Sequence, residues 1–388
     1  MSNIKTICVI ICTLLVVLLV KCSTVKKPSY QKVKTVSFEL PYIPSTWGYF
    51  YEKDSLYFYT HNYPTYKNID ILNSKGKVLY SIDLSKQKAI IEMTKVEVHS
   101  LDSIFILTKN PSSLFVLNKN TKLQNKIAID SLFFSKTEYT KEKVKHLQTL
   151  CYGNMIKKGN LLTNIFLMDT TFHTPENLYE TRLYSNKYES KMPQFIYIKN
   201  IFETNSKILY NTSWVSKIIR KEDEDFNMMP FYVFLENKII FCISHDRHIY
   251  FVNPEDLSFE RKIPVFSDYT ELEYKKPKIT KEPPKTPYVY KAMYKGAIIN
   301  VFNYQNENFV LVKHETPLPQ KEEMISIPDP FSARYSVIIY DKQWKKQKEI
   351  LLPEKEKFVA FLPNKQFITR SKTKNARQVT FNFYQIAE

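Results

Sequence analysis

Glycine is nearly missing from this chain, with five in 388 residues. That scarcity leaves no glycine-rich phosphate loop and no GxGxxG dinucleotide fingerprint. It also hands the tight turns to residues such as Asn and Asp, which bond nearby backbone and tolerate left-handed conformations. Cysteine is equally sparse, at positions 8, 12, 22, 151 and 242. Too few remain beyond the N-terminal segment for a disulfide-stapled scaffold, and Cys151–Cys242 is the one pair left if Cys22 is modified. Arginine is confined to positions 182, 220, 247, 261, 334, 370 and 377, so the formal charge of +17 is a lysine charge. Its lysines are spread along the chain rather than gathered on one element, and nucleic-acid binding is not expected. Nor is there a GxSxG elbow, an HExxH pair or a paired CxxC. Past residue 25 no long helical period is present, and Thr137–Leu150 is the best candidate for a short helix.

What is there begins at the N-terminus. Lys5 precedes an apolar run from Ile7 to Val20, interrupted by Thr13, and Lys21-Cys22 follow. This is the layout of a secretory signal peptide, and the closing cysteine suggests a lipoprotein lipidated at Cys22. Lys21 stands where such a motif has a small residue. The alternatives are an uncleaved anchor, for which the run is shorter than the ~20 residues needed to span a membrane, and an ordinary cleaved signal. The resulting division is a signal peptide over 1–21, a polar tether over 22–32, and one domain over 33–388.

That domain repeats one theme. Ile69–Leu72 runs into Asn73-Ser74-Lys75-Gly76, Leu114–Leu117 into Asn118-Lys119-Asn120-Thr121, Ile249–Val252 into Asn253-Pro254-Glu255-Asp256, and Val337–Tyr340 into Asp341-Lys342-Gln343-Trp344. Each is a buried strand, an Asn- or Asp-headed turn and a more polar strand, preceded by another apolar strand. Recurring antiparallel units of about 40–50 residues indicate propeller blades. Six four-stranded blades are expected: Ser45–Leu84, Val96–Ile129, Cys151–Asn200, Met229–Val265, Tyr288–Leu352 and Phe358–Glu388. The last shows three strands, and Val33–Leu40 is expected to supply its fourth and close the ring. A large β-sandwich is the alternative.

The lipoprotein-like start, the strand openings at Asp54-Ser55-Leu56-Tyr57 and Asp102-Ser103-Ile104-Phe105, and the segment Asp329–Asp341 resemble a family of exported bacterial lipoproteins with a six-bladed, TolB-like propeller and no assigned function. The resemblance covers the mature chain and implies the fold, but it lends no catalytic residue. Ser23 after Cys22 implies, on the same resemblance, sorting to the outer membrane of a Gram-negative cell.

Few residues point to chemistry. His245-Asp246-Arg247-His248 is the densest polar cluster, expected at a turn between two strands, where it would hold a ligand or form an ordinary hairpin tip. The run Glu222–Asp225 lacks the ligand alternation of a calcium loop and is expected to be solvated. Exposed-looking aromatics near Tyr42–Tyr51, Tyr63 and Tyr66 are expected to pack blades. The expectation is an extracytoplasmic, lipid-anchored binding module with its ligand surface on one propeller face. No metal or cofactor is expected. A glycan, a peptide or another envelope protein are the partner classes. The competing reading is a propeller enzyme of lactonase, lyase or glycosidase type. It requires convergence of several of His61, His99, His173, His245, His248 and His314 with a carboxylate on the axis.

Overall fold

A computed structural model describes residues 29–136 apart from 45, 63–65, 91 and 109–111; the strand segments 146–150, 156–157, 160–168, 195–199 and 207–211; residues 230–272 apart from 236–237 and 244–245; and residues 294–387 apart from 305–306, 320–327 and 364. Four sheets are simple antiparallel meanders in chain order. They are β2 (Thr46–Glu52) to β5 (Val78–Asp83) by way of β3 (Ser55–Asn62) and β4 (Tyr66–Asn73); β6 (Met93–Ser100), β7 (Ser103–Thr108), β8 (Ser113–Leu117) and β9 (Leu123–Ala128); β15 (Pro230–Phe234), β16 (Ile239–Ile243), β17 (His248–Val252) and β18 (Phe259–Pro264); and β19 (Ala297–Tyr304), β20 (Glu307–Lys313), β21 (Tyr335–Tyr340) and β22 (Lys346–Leu351). A fifth combines the two ends of the chain. There β1 (Tyr30–Glu39) pairs antiparallel with β25 (Gln378–Ile386), from Tyr30 opposite Ile386 to Glu39 opposite Gln378. Beyond β25 lie β24 (Gln366–Ser371) and β23 (Glu356–Leu362).

The sheets pack face to face through apolar layers. Ile240 and Phe251 meet Ile298 and Tyr340. Phe309 and Ile339 meet Phe361 and Tyr384. Phe381 and Ile368 meet Phe58 and Leu72, and Ile69 and Ile71 meet Ile104 and Phe115. Five four-stranded sheets are thereby stacked around a common axis as propeller blades. The middle strands of a blade are covered on both faces, which is why β8 and β21 are buried at every position and their sequences are continuous apolar runs rather than alternations.

Three expectations are corrected. Five blades are four-stranded, not six. The expected third blade falls on β10 (His146–Leu150), β11 (Ile156–Lys157), β12 (Asn160–Met168), β13 (Phe195–Lys199) and β14 (Lys207–Asn211), a five-stranded sheet. In it β10 pairs with residues 164–168 of β12, and β11 with residues 160–161. The first strand is thus broken into two short pieces, and β14 lies beyond the expected limit at Asn200. A sandwich is not formed, because the β2–β5 sheet, the β19–β22 sheet and the sheet holding β1 each pack against two neighbouring sheets rather than one opposing sheet. The short helix is α1, Ile129–Lys136. It precedes the expected span, and residues 146–150 of that span are strand.

The turns explain how the chain does without glycine. The Asn73 side chain accepts from the backbone N–H of Lys75 and Lys77, both at 3.0 Å. Asn118 does the same for Asn120 and Lys122 at 3.0 Å, and Asp341 for Gln343 and Lys345 at 2.9 Å. The residue three places after each cap takes a positive φ: Gly76 at 82°, Thr121 at 62° and Trp344 at 66°. A double Asx hydrogen bond therefore holds a left-handed residue that is glycine in one blade only.

Candidate ligand-binding site

Alternating strand directions give each blade two unlike ends. The first-to-second and third-to-fourth strand connections form a turn end. The second-to-third connections and the links to the next blade form a loop end. Buried polar side chains collect toward the loop end: Thr60, His61, Thr108, Ser112, Asp246, His314, Ser336 and Thr369 all have under a tenth of their surface exposed.

The expected cluster lies there, with its roles redistributed. His245 and Cys22 lie outside the described residues. Asp246 is buried, and its carboxylate accepts from the His248 backbone N–H at 3.0 Å, from His248 Nδ1 at 2.7 Å and from the Tyr250 hydroxyl. Arg247 lays its guanidinium over the Phe266 ring at 5.8 Å. Asp246 is thus the keystone of its hairpin, with its lone pairs committed to protein donors. Beneath it Cys242 is a buried free thiol, its pKa pushed up by burial and then by the Asp246 charge.

Of the candidate histidines among the described residues, His61, His99, His248 and His314 sit on four different blades, each with its own surroundings. His61 ends β3, and burial, reinforced by Lys95, lowers its pKa to about 4. His99 bonds Glu97 at 2.6 Å. His173 lies outside the described residues. Among the described residues no three His, Cys, Asp or Glu side chains are placed to share a metal ion.

His314 belongs to an arrangement that looks catalytic by composition. Its Nε2 is 2.8 Å from Ser336 Oγ, and Ser336 Oγ is 2.6 Å from Glu349 Oε1. The polarity is wrong for a nucleophile. A serine hydroxyl has one hydrogen, and here it goes to the carboxylate, so His314 donates to Ser336 instead of accepting from it. Ser336 is also fully buried. Glu349, with no exposed side-chain surface, accepts further from Ser267 Oγ at 2.7 Å and the Asp268 backbone N–H at 2.6 Å. Lys346 bonds Glu349 at 3.1 Å, Asp268 at 2.7 Å and the Phe266 carbonyl at 2.9 Å. Burial opposes the Lys346 charge, but these two carboxylates outweigh it and raise its pKa. The group latches residues 266–270 onto the next blade, with Tyr269 stacked over His314 at 5.7 Å.

A cleft of about 480 Å³ opens at the loop end between the β19–β22 blade and the blade completed by β1, lined chiefly by Asp329, Phe331, Glu354, Lys355, Glu356 and Lys372. Its floor is fixed. Glu356 accepts from Thr369, from Asn382 Nδ2 at 2.7 Å, from the Tyr384 hydroxyl at 2.9 Å and from Ser371 at 3.4 Å. With its oxygens filled, Glu356 serves as an anchor of the blade rather than a general base. The wall is held by the Tyr335 hydroxyl on the Pro330 carbonyl at 3.1 Å, and burial raises that phenol to about 12. The rim is exchangeable. Lys372 pairs with Asp329 at 2.5 Å and Arg334 with Glu354 at 2.7 Å, all four well exposed. The Lys372 bond, then the Phe331 N–H, hold the Asp329 carboxyl below its ordinary pKa. Arg370 sits 5.9 Å from the Phe331 ring centre. Exposed pairs of this kind contribute on the order of 0–1 kcal/mol and can be traded for a ligand's polar groups at small cost.

Sequence reasoning missed Glu349 and Glu356. Both stand in lysine-rich stretches that look solvent-facing. The signal available was the Asp329–Asp341 segment, whose first half forms the cleft wall and whose second half is β21.

No family description and no curated protein sequence matches the chain. Solved structures do. A member of the DUF4221 family from Bacteroides vulgatus superposes with a TM-score of 0.64 at 15% identity, covering 92% of this chain and 98% of that one. A Bacteroides fragilis protein described as exported matches with a TM-score of 0.45 at 10% identity over 93% and 95% of the two chains. At 15% identity the DUF4221 likeness bears on the fold alone, which is the β-propeller of four-stranded antiparallel blades described above.

Proposed function

We propose that the chain is an exported, lipid-anchored binding module of the cell envelope, probing its surroundings with the loop end of the propeller. In this reading the five-stranded sheet serves as a sixth blade and β1 closes the ring. Cys22 carries the lipid, in the outer membrane of a Gram-negative cell. The observation that carries the binding role is the cleft: a rigid floor whose half-buried carboxylate is saturated, beneath a rim of exposed, exchangeable ion pairs and one aromatic ring. This is suited to holding a polar ligand, such as a glycan or peptide, and has no activated nucleophile among the described residues.

A thermal-shift series with soluble oligosaccharides and short charged peptides tests the reading on the wild type and on Phe331→Ala and Lys372→Ala. A probe that stabilises the wild type and loses its effect in both variants supports the cleft. Equal stabilisation in all three refutes it, and conversion of a probe to product favours the enzyme alternative. For the anchor, metabolic labelling with palmitate is expected to vanish in Cys22→Ser; label that persists overturns the assignment.

A further inference from the structure

We infer that the turn end of the propeller lies against an anionic phospholipid surface, so that the cleft at the loop end faces away from the membrane. The inference rests on the anchored reading above and adds an orientation and a contact surface to it.

The argument starts from β1. In the four meander blades the outer strand is entered through the third-to-fourth-strand turn. In the blade completed by β1 that turn is replaced by the chain entering from its N-terminal side. Ser29 sits at this point, and its carbonyl accepts from the Ala387 N–H at 2.8 Å. The pseudo-rotation of the propeller therefore places the entry point level with the turns at Asn73, Asn118, Asn253 and Asp341. Six residues lie between Cys22 and Ser29, and the seven Cα-to-Cα steps joining them reach about 25 Å at most. A lipid on Cys22 would hold this end of the ring near the bilayer.

The charges on these turns match such a surface. Lys75 and Lys77 follow Asn73, Lys119 and Lys122 follow Asn118, and Lys342 and Lys345 follow Asp341. Five of the six are exposed and Lys119 is half-buried, its ammonium 5.5 Å from the Tyr80 ring centre. The carboxylate in these turns, Asp341, is spent on backbone N–H groups. The core contacts order the blades so that the Asp341 turn lies on one side of the entry point and the Asn73 and Asn118 turns on the other. Lys32 and Lys34 on β1 lie between them. On the same end the first-to-second turns add the exposed Lys53, Asp54 and Asp102, so lysines still outnumber carboxylates there, and the acidic turn Glu255-Asp256 sits one blade beyond Asp341. The basic arc thus flanks the chain's entry point at Ser29. Lysines within a Debye length of about 10 Å are attracted to anionic headgroups, and salt screens the attraction.

Lysine acetylation footprinting of the full-length protein, read by peptide mass spectrometry, tests the orientation. The protein is reconstituted with vesicles of phosphatidylcholine alone or mixed with phosphatidylglycerol. Lys75, Lys77, Lys119, Lys122, Lys342 and Lys345 are expected to react several-fold more slowly on the anionic vesicles, with the protection lost at high salt. Lys295, Lys355 and Lys372 at the loop end are expected to keep their rates. Equal rates throughout, or protection at the loop end, overturn the inference. Flotation with neutral vesicles separates the two claims. A protein that floats but shows no protected arc on anionic vesicles refutes the orientation only, whereas one that fails to float with neutral vesicles refutes the anchor. Replacing Lys75, Lys77, Lys342 and Lys345 with Glu is expected to abolish the salt-sensitive protection at Lys119 and Lys122 while leaving flotation intact.

Discussion

Glu349→Gln is the most informative single change in the latch between the 266–270 segment and the β19–β22 blade. The carboxylate is completely buried and receives hydrogen bonds from Ser267, Ser336, the Asp268 N–H and Lys346. A carboxamide keeps the volume but has one accepting oxygen. If that oxygen serves the two serines, an NH₂ group is turned toward the Asp268 N–H and Lys346, and two charge-assisted bonds are lost at roughly 1.5 kcal/mol each. Lys346 keeps Asp268 and some solvent, so the net cost is about 2–3 kcal/mol, or roughly 3–4 °C in melting temperature for a domain of this size. Urea denaturation at neutral pH measures the cost, and hydrogen exchange over residues 265–272 measures the release of the latch. The Ser267→Ala variant alone is expected to lose about 1 kcal/mol, and somewhat less when Glu349 is already Gln, because the bond from Ser267 to the carboxamide oxygen is retained but no longer charge-assisted. A Glu349→Gln protein within about 0.5 kcal/mol of wild type, with unchanged exchange in this segment, would refute the assignment of Glu349 as the latch.

Two further predictions address the turns and the buried histidine. Gly76 has φ of 82°, and a Cβ there would stand 2.1 Å from the Phe38 ring, so Gly76→Ala is expected to cost at least about 1 kcal/mol and loosen β1. Thr121→Gly, at φ 62°, is expected to be neutral or stabilising by up to about 1 kcal/mol in thermal denaturation; the opposite ranking would overturn this reading of the turns. His61 has a folded pKa of about 4 against an ordinary value near 6.5. The folded state therefore binds fewer protons, stability is full above about pH 6.5, and it falls as the pH drops toward 4, by up to about 3 kcal/mol. Urea midpoints of wild type and His61→Gln between pH 7.5 and 4 should converge if this is right, and parallel curves would exclude it.

Much of the fold was legible because its causes are local. Continuous apolar runs such as Val337–Tyr340 mark strands covered on both faces, and Asn or Asp at the head of a turn marks the Asx hydrogen bonds at Asn73, Asn118 and Asp341. The pairing of an N-terminal strand with β25 also followed from a blade that was one strand short. The third expected blade was misread because its first strand is split between β10 and β11, and a two-residue strand carries no periodic signal. The helix was displaced for a related reason: Ile129–Lys136 is a single short segment with both Ile129 and Phe133 buried, too brief to stand out.

The site was far less legible. His245–His248 drew attention by composition, yet Asp246 is consumed by His248 and Tyr250. Glu349 and Glu356, embedded among lysines in the sequence, turned out to be the carboxylates that organise the loop end. By itself the sequence determined an all-β repeating architecture and the chemistry of the turns, because both depend on residues adjacent in the chain. Tertiary structure alone decided which carboxylates are buried and saturated, which ion pairs stay exposed, and where the cleft opens. Those properties arise where Asp329, Glu354 and Lys372, distant in sequence and drawn from two blades, are brought to one end of the propeller.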